Sequence, residues 1–297
     1  MKENAFKWRA MRLGVACFGL CLAGCIKSQE TDRPEARVRA GWDNYRRGEY
    51  STALKDFQYA VAHTPQKSAT QLAALYGEAT IWHLRRPDED LVRAALLYRQ
   101  IIECAPTSNE AAWSWLGLAR IKALPIDGEN SELQSQLDAY QAVIDRFPFH
   151  PAGEESFLMQ QAAKLDVWDV NRTREVLAAL QHFVKTHPQS PWLSAAYDLM
   201  AHCGTVLGMP DLRLDAAIQS WKNAEIDPAN PIRDFSWTYW KLATIAEFEV
   251  GDFEMAREYF HKFIKESPAD QKVFIAKQEL KRMADLENRV QAERAVP

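Results

Sequence analysis

Three sets of side chains in this 297-residue chain could carry chemistry: one cysteine in an unusual setting, seven histidines and ten tryptophans. Cys25 directly follows Leu22-Ala23-Gly24. Two small residues stand ahead of the thiol, and a thiol is a nucleophile in its deprotonated form. The histidines (His63, His83, His150, His182, His187, His202 and His261) form no HExxH and no other close ligand pair, and no cysteine joins them at zinc spacing. They read as surface or partly buried side chains. No G-x-S-x-G, P-loop or dinucleotide fingerprint occurs. The acidic runs Glu154-Glu155 and Asp88-Glu89-Asp90 stand at expected helix starts, where negative charge favours the helix dipole. The sequence therefore assigns no catalytic residue, no metal ligand and no cofactor, and the expectation is a protein that is not an enzyme.

The segment around Cys25 explains its setting. Lys2, Lys7, Arg9 and Arg12 give a basic start, and Leu13 to Leu22 is an apolar run. That run is too short to span a bilayer and suits the core of a signal peptide. Leu22-Ala23-Gly24-Cys25 resembles the bacterial lipobox, which implies cleavage before Cys25 and lipidation of its thiol. Several acyl chains on one residue anchor far more firmly than a single chain. Ile26 follows where inner-membrane retention in enterobacteria uses Asp; by that resemblance the protein sits on the periplasmic face of the outer membrane. Residues 1–24 carry a net +3, so the remainder carries about −7 against −4 for the whole chain. An acidic chain has no general attraction for nucleic acid or anionic lipid, so no nucleic-acid partner is expected.

Behind this leader the elements are helical. Ala, Leu, Glu, Lys, Arg and Gln dominate, and long alternating Val/Ile/Thr runs are missing. Pro65, Pro106, Pro148, Pro188, Pro228 and Pro268 recur at spacings of 41, 42, 40, 40 and 40. Eight residues before each proline stand Phe57, Tyr98, Tyr140, Leu180, Ser220 and Phe260; twelve before stand Ala53, Ala94, Gln136, Val176, Ala216 and Ala256. In the fifth phrase the aromatic slips by one, to Trp221. Positions four apart share one helix face, so a small residue admits a neighbouring helix and an aromatic fills the groove. Proline then ends the helix, because it cannot continue the hydrogen-bond ladder.

Gly48-Glu49-Tyr50 through Pro65 and Gly251-Asp252-Phe253 through Pro268 resemble the second helix of a tetratricopeptide (TPR) repeat. Gly41, Gly77 and Gly117 stand where that family places a small residue in the first helix, and Trp113, Leu116 and Gly117 fit its W-x2-L-G opening. The period is about 40 rather than the family's 34, with the surplus in inserts such as 85–89 and 124–131. The resemblance implies an all-α fold, a right-handed TPR-like superhelical solenoid of about six helix pairs. The expected organisation is a signal peptide at 1–24, a lipidated tether at 25–35, a repeat array at 36–268 and a capping helix at 269–297. Val273, Ala276, Leu280 and Met283 give that last helix one apolar stripe. Cys104 and Cys203, in different repeats, are expected to be free thiols.

In a TPR array the first helices line a concave groove. Residues one and four positions after the small glycine then point inward, placing Trp42 and Tyr45 after Gly41, and Ile81 after Gly77 with Trp82 at its margin. Trp42, Tyr45, Arg46 and Trp82 are thus the expected ligand-binding residues, since aromatics beside an arginine suit peptide capture. Trp113, Trp221 and Trp240 are expected to pack between helices. A lipobox followed by TPR units resembles the BamD-type outer-membrane assembly lipoproteins, with Asp145-Arg146-Phe147-Pro148-Phe149-His150-Pro151 and Phe183-Val184-Lys185-Thr186-His187-Pro188-Gln189-Ser190-Pro191 as the nearest phrases. The implied function is a membrane-anchored scaffold whose partners are other envelope proteins or extended peptide segments. A second resemblance, to SusD-type lipoproteins, implies glycan or peptide ligands instead.

Overall fold

The structure, a computed structural model, describes residues 33–84, 90–124, 132–165, 169–224 and 236–294. The expected signal peptide, Cys25, most of the expected tether, the insert at 85–89 and Pro228 lie outside the described residues. The fold is all-helical, with no strand among the described residues and helices that pack in consecutive pairs.

In chain order these are α1 (Pro34–Arg46), α2 (Tyr50–Ala62), α3 (Ala69–Leu84), α4 (Leu91–Cys104), α5 (Asn109–Ala123), α6 (Leu133–Arg146), α7 (Pro151–Lys164), α8 (Val170–Thr186), α9 (Leu193–Leu207), α10 (Pro210–Asn223), α11 (Ser236–Ile245), α12 (Phe253–Glu266) and α13 (Lys272–Arg294). A π-helical turn, Ala246–Val250, extends α11. Two compact units divide the chain, Met1–Gly153 and Glu154–Pro297, and the dividing point falls inside α7.

The proline phrases end helices and also announce the next one. Ser108, His150, Ser190 and Asp270 each stand two residues after a proline of the ladder, and Ser68 stands three after. Each accepts a backbone N–H at the start of the following helix: Ala111 to Ser108 Oγ (3.1 Å), Ala152 to His150 Nδ1 (3.1 Å), Trp192 to Ser190 Oγ (3.1 Å), Lys272 to Asp270 Oδ1 (2.8 Å) and Gln71 to Ser68 Oγ (3.2 Å). A first-turn N–H has no partner within its own helix, so a side-chain acceptor there fixes the start. Asp90, Asp169 and Asp252 cap α4, α8 and α12 in the same sense.

The two registers ahead of each proline are core. Phe57, Tyr98, Tyr140, Leu180, Ser220 and Phe260 are all buried, as are Ala53, Ala94, Val176, Ala216 and Ala256; Gln136 alone is half-exposed. The fifth phrase does not slip. Ser220 holds the buried position and Trp221 is a half-buried neighbour.

Glycine explains how the first helices close over these rings. A Cβ on Gly41 would lie 2.6 Å from Phe57 Cε1, and one on Gly77 would lie 2.5 Å from Phe57 Cζ. Phe57 of α2 is therefore clamped between α1 and α3, which also touch each other. Gly117 of α5 repeats the arrangement against Tyr98 of α4. In the second unit, Gly204 brings α9 against the backbone of α10 at Arg213. One core there runs from Leu158 to Met283 and includes the apolar stripe of α13: Val273, Ala276 and Met283 are buried and Leu280 packs against them.

Candidate binding surfaces

Trp42 and Tyr45 lie on α1, one and four residues past Gly41, and both are half-buried. Their rings contact each other edge-on at 5.5 Å. Trp42 also sits edge-on against Phe57 (5.1 Å) and beside Tyr76 of α3 (6.1 Å), while Tyr45 meets Tyr50 (5.6 Å). The result is a row of four half-buried rings, Tyr50, Tyr45, Trp42 and Tyr76, which Trp42 joins to the clamped phenylalanine. Arg46, the next residue of α1, is exposed and pairs with Asp43.

Trp82 packs against the same core cluster, and its polar surroundings are already satisfied. Its indole N–H donates to Glu78 Oε1 (3.3 Å), and the Arg93 guanidinium lies 4.3 Å over its ring. Arg93 Nη2 and Gln58 Nε2 also donate to Glu78 Oε1, at 2.9 and 3.1 Å. Glu78 is buried, and three donors offset the cost of taking a carboxylate out of water. Asp56 is handled alike, accepting from Arg37 Nη1 (2.9 Å) and Asn44 Nδ2 (2.8 Å).

Three of the four expected residues, Trp42, Tyr45 and Trp82, thus share one cluster, and Arg46 borders it. Ile81, expected to face inward onto the groove, is fully buried core instead. The rule that placed it counts from the glycine along one helix and ignores the adjacent ring of α2, which α3 covers at that point. His83 also departs from expectation. It is buried, and its Nδ1 lies 3.3 Å from the Tyr98 hydroxyl. Burial, aided by the Arg120 charge, pushes its pKa down to about 4, and burial pushes the Tyr98 phenol above its ordinary range.

The second unit presents two recesses lined in part by α9, both of which include Asp198. Leu158, Met159, Ala162, Leu165 and Leu199 line an apolar one of 560 Å³, with Asp198 and His202 at its edge. A more polar recess of 230 Å³ lies among α9, α10 and α11, lined in part by Trp221 and Trp237. Trp237 stands outside the proline registers and was not singled out from sequence.

Cys104 and Cys203 are free thiols, the former half-buried and the latter buried. Among the described residues no group of three His, Cys, Asp or Glu is placed to hold a metal ion, and no helix is long and apolar enough to cross a membrane. No protein-family model matches the chain, and no curated protein matches it.

Proposed function

We propose that this chain is a lipid-anchored scaffold of the bacterial cell envelope, built as a right-handed TPR-like solenoid, that holds other envelope proteins or extended peptide segments through its first unit. In this reading the lipid on Cys25 fixes it to the periplasmic face of the outer membrane, and it serves outer-membrane protein assembly or a related envelope machine. The observation that carries the binding role is the aromatic row Tyr50–Tyr45–Trp42–Tyr76, half-buried over a rigid core and bordered by the exposed Arg46. Large rings with few rotamers lose little entropy on binding, and interface hot spots favour Trp, Tyr and Arg. The glycine clamp and the recurring proline and cap support the repeat reading, because they give successive hairpins the same joints.

The test is photo-crosslinking in intact cells, with the reactive side chain placed at Arg46 or, as control, at Lys55, which is exposed on α2. A discrete adduct from position 46 that is lost on Tyr45→Ala supports the reading. Equal adducts from both positions, or none from position 46, would overturn it.

A further inference from the structure

The aromatic row of the first unit holds a hydrogen-bond donor that the fold leaves unused. Trp42 stands within the row, between Tyr45 (5.5 Å) and Tyr76 (6.1 Å). Its indole N–H meets no acceptor among the described residues and is open to solvent. The Tyr50 hydroxyl, at the end of the row, is likewise open and without a partner among the described residues. Trp82 differs, because its N–H is spent on Glu78 (3.3 Å).

Three features select among peptide ligands. The charges beside the row cancel in pairs: Arg46 with Asp43, Arg47 with Glu49 (3.9 Å) and, at Trp82, Arg93 with Glu78 (2.9 Å). A strongly basic or acidic segment finds no uncompensated charge there, so the complementary ligand is uncharged. Helices α1 and α3, which carry Trp42, Tyr45 and Tyr76, keep their backbone groups bonded within the helix. An ordinary extended segment laid across these rings would bury its N–H groups without acceptors, which is costly. An amphipathic helix has already used its own carbonyls, so its apolar face would cover the Trp42 N–H and leave that donor unsatisfied.

A proline-rich segment in the polyproline II conformation avoids each of these costs. Proline has no N–H to strand, and its backbone is already restricted before binding. Carbonyls in that conformation make no internal hydrogen bonds, so they are free to accept from an indole while pyrrolidine rings pack on the aromatic faces. The four ring centres span at most about 17 Å, which about five residues at roughly 3.1 Å each would cover. We propose, resting on the scaffold reading of this surface, that the row Tyr50–Tyr45–Trp42–Tyr76 binds an uncharged proline-rich segment of the partner. Trp42 Nε1–H and the Tyr50 hydroxyl donate to backbone carbonyls of the bound segment.

The test is fluorescence anisotropy of dye-labelled decaproline on the full chain in detergent, beside a Gly-Ser decamer and an amphipathic Leu-Lys helix as controls. Saturable decaproline binding is expected, with a dissociation constant below about 1 mM and about tenfold or more tighter than either control. Trp42→Phe keeps a ring against Phe57 but removes the N–H, and should weaken binding about fivefold or more. Tyr50→Phe deletes only an open hydroxyl and spares the packing; it should weaken binding about twofold or more at an unchanged melting temperature. No saturable decaproline binding, equal binding of either control, or unchanged affinity in Tyr50→Phe or in folded Trp42→Phe would overturn the proposal. The scaffold reading fails separately. A Tyr45-dependent crosslink at position 46 in cells, beside absent decaproline binding, strikes the proline-rich class and leaves the surface in use.

Discussion

Gly77→Ala should destabilise the protein although it places a better helix former inside α3. Alanine gains about 1 kcal/mol over glycine in a helix interior. Against this, the new Cβ would lie 2.5–2.7 Å from three atoms of the Phe57 ring. That ring is fully buried and is met from its other side by Gly41, so it has nowhere to retreat. Overpacking a tight core costs about 1–3 kcal/mol, and a ring held on both sides belongs at the upper end. The net expectation is a loss of about 2 kcal/mol, from about 3 for overpacking less about 1 for propensity. Urea denaturation at unchanged m-value measures it. A second measurement separates clash from any generic glycine effect. Phe57→Leu in the Gly77→Ala background should recover stability relative to the sum of the single changes, with a coupling of about 1 kcal/mol or more. A Gly77→Ala protein as stable as the wild type, or additive single changes, would refute the clamp.

Further outcomes follow from the same geometry. His83 is held neutral in the fold to about pH 4 against an ordinary 6.5, so the unfolded chain binds the extra proton between those values and stability falls as pH drops from 6.5 to 4, by up to about 3 kcal/mol. Stability curves of the wild type and His83→Gln should converge across that window and run parallel above it; parallel curves throughout would contradict this. Cys203 is buried with its thiol pKa pushed up to about 11, so maleimide at pH 7 should leave it unmodified until urea unfolds the second unit; rapid native labelling would contradict its placement. Cys25→Ala should yield an unprocessed or soluble protein lacking palmitate label, and a processed, labelled membrane form of that variant would remove the anchor from the account.

Much of the helical framework was legible because its punctuation is chemical. Proline must end a helix, and the small and aromatic positions before it must share a face, so Ala53, Phe57 and their counterparts could be read as core. Gly41, Gly77 and Gly117 were legible as places of close approach. The partner that Gly41 and Gly77 share was not: that one ring, Phe57, would serve two glycines depends on three helices meeting, which spacing along one helix does not encode. The same limit misplaced Ile81. The buried carboxylates Asp56 and Glu78 look like ordinary solvated residues in sequence, since their donors Arg37, Asn44, Gln58 and Arg93 come mostly from other helices. Of the candidate residues, Trp42, Tyr45 and Trp82 pack on one cluster, whereas Tyr50 and Tyr76 join the row only through tertiary contact. The recess at Trp237 was not legible, because it draws on three helices and its tryptophan stands outside the proline registers.

The scaffold reading rests most directly on the worth of the aromatic row to a bound partner. Once crosslinking at position 46 has supplied that partner, its affinity should be measured for the wild type and for Tyr45→Ala with Arg46→Ala, alongside melting temperatures. Tyr45 is half-buried and Arg46 exposed, so the fold should survive with a small shift in melting temperature. A hot-spot loss of about 2 kcal/mol corresponds to roughly thirtyfold weaker binding. Thirtyfold weaker binding by a folded variant is the predicted result; unchanged affinity would contradict the assignment of this surface and with it the proposed function.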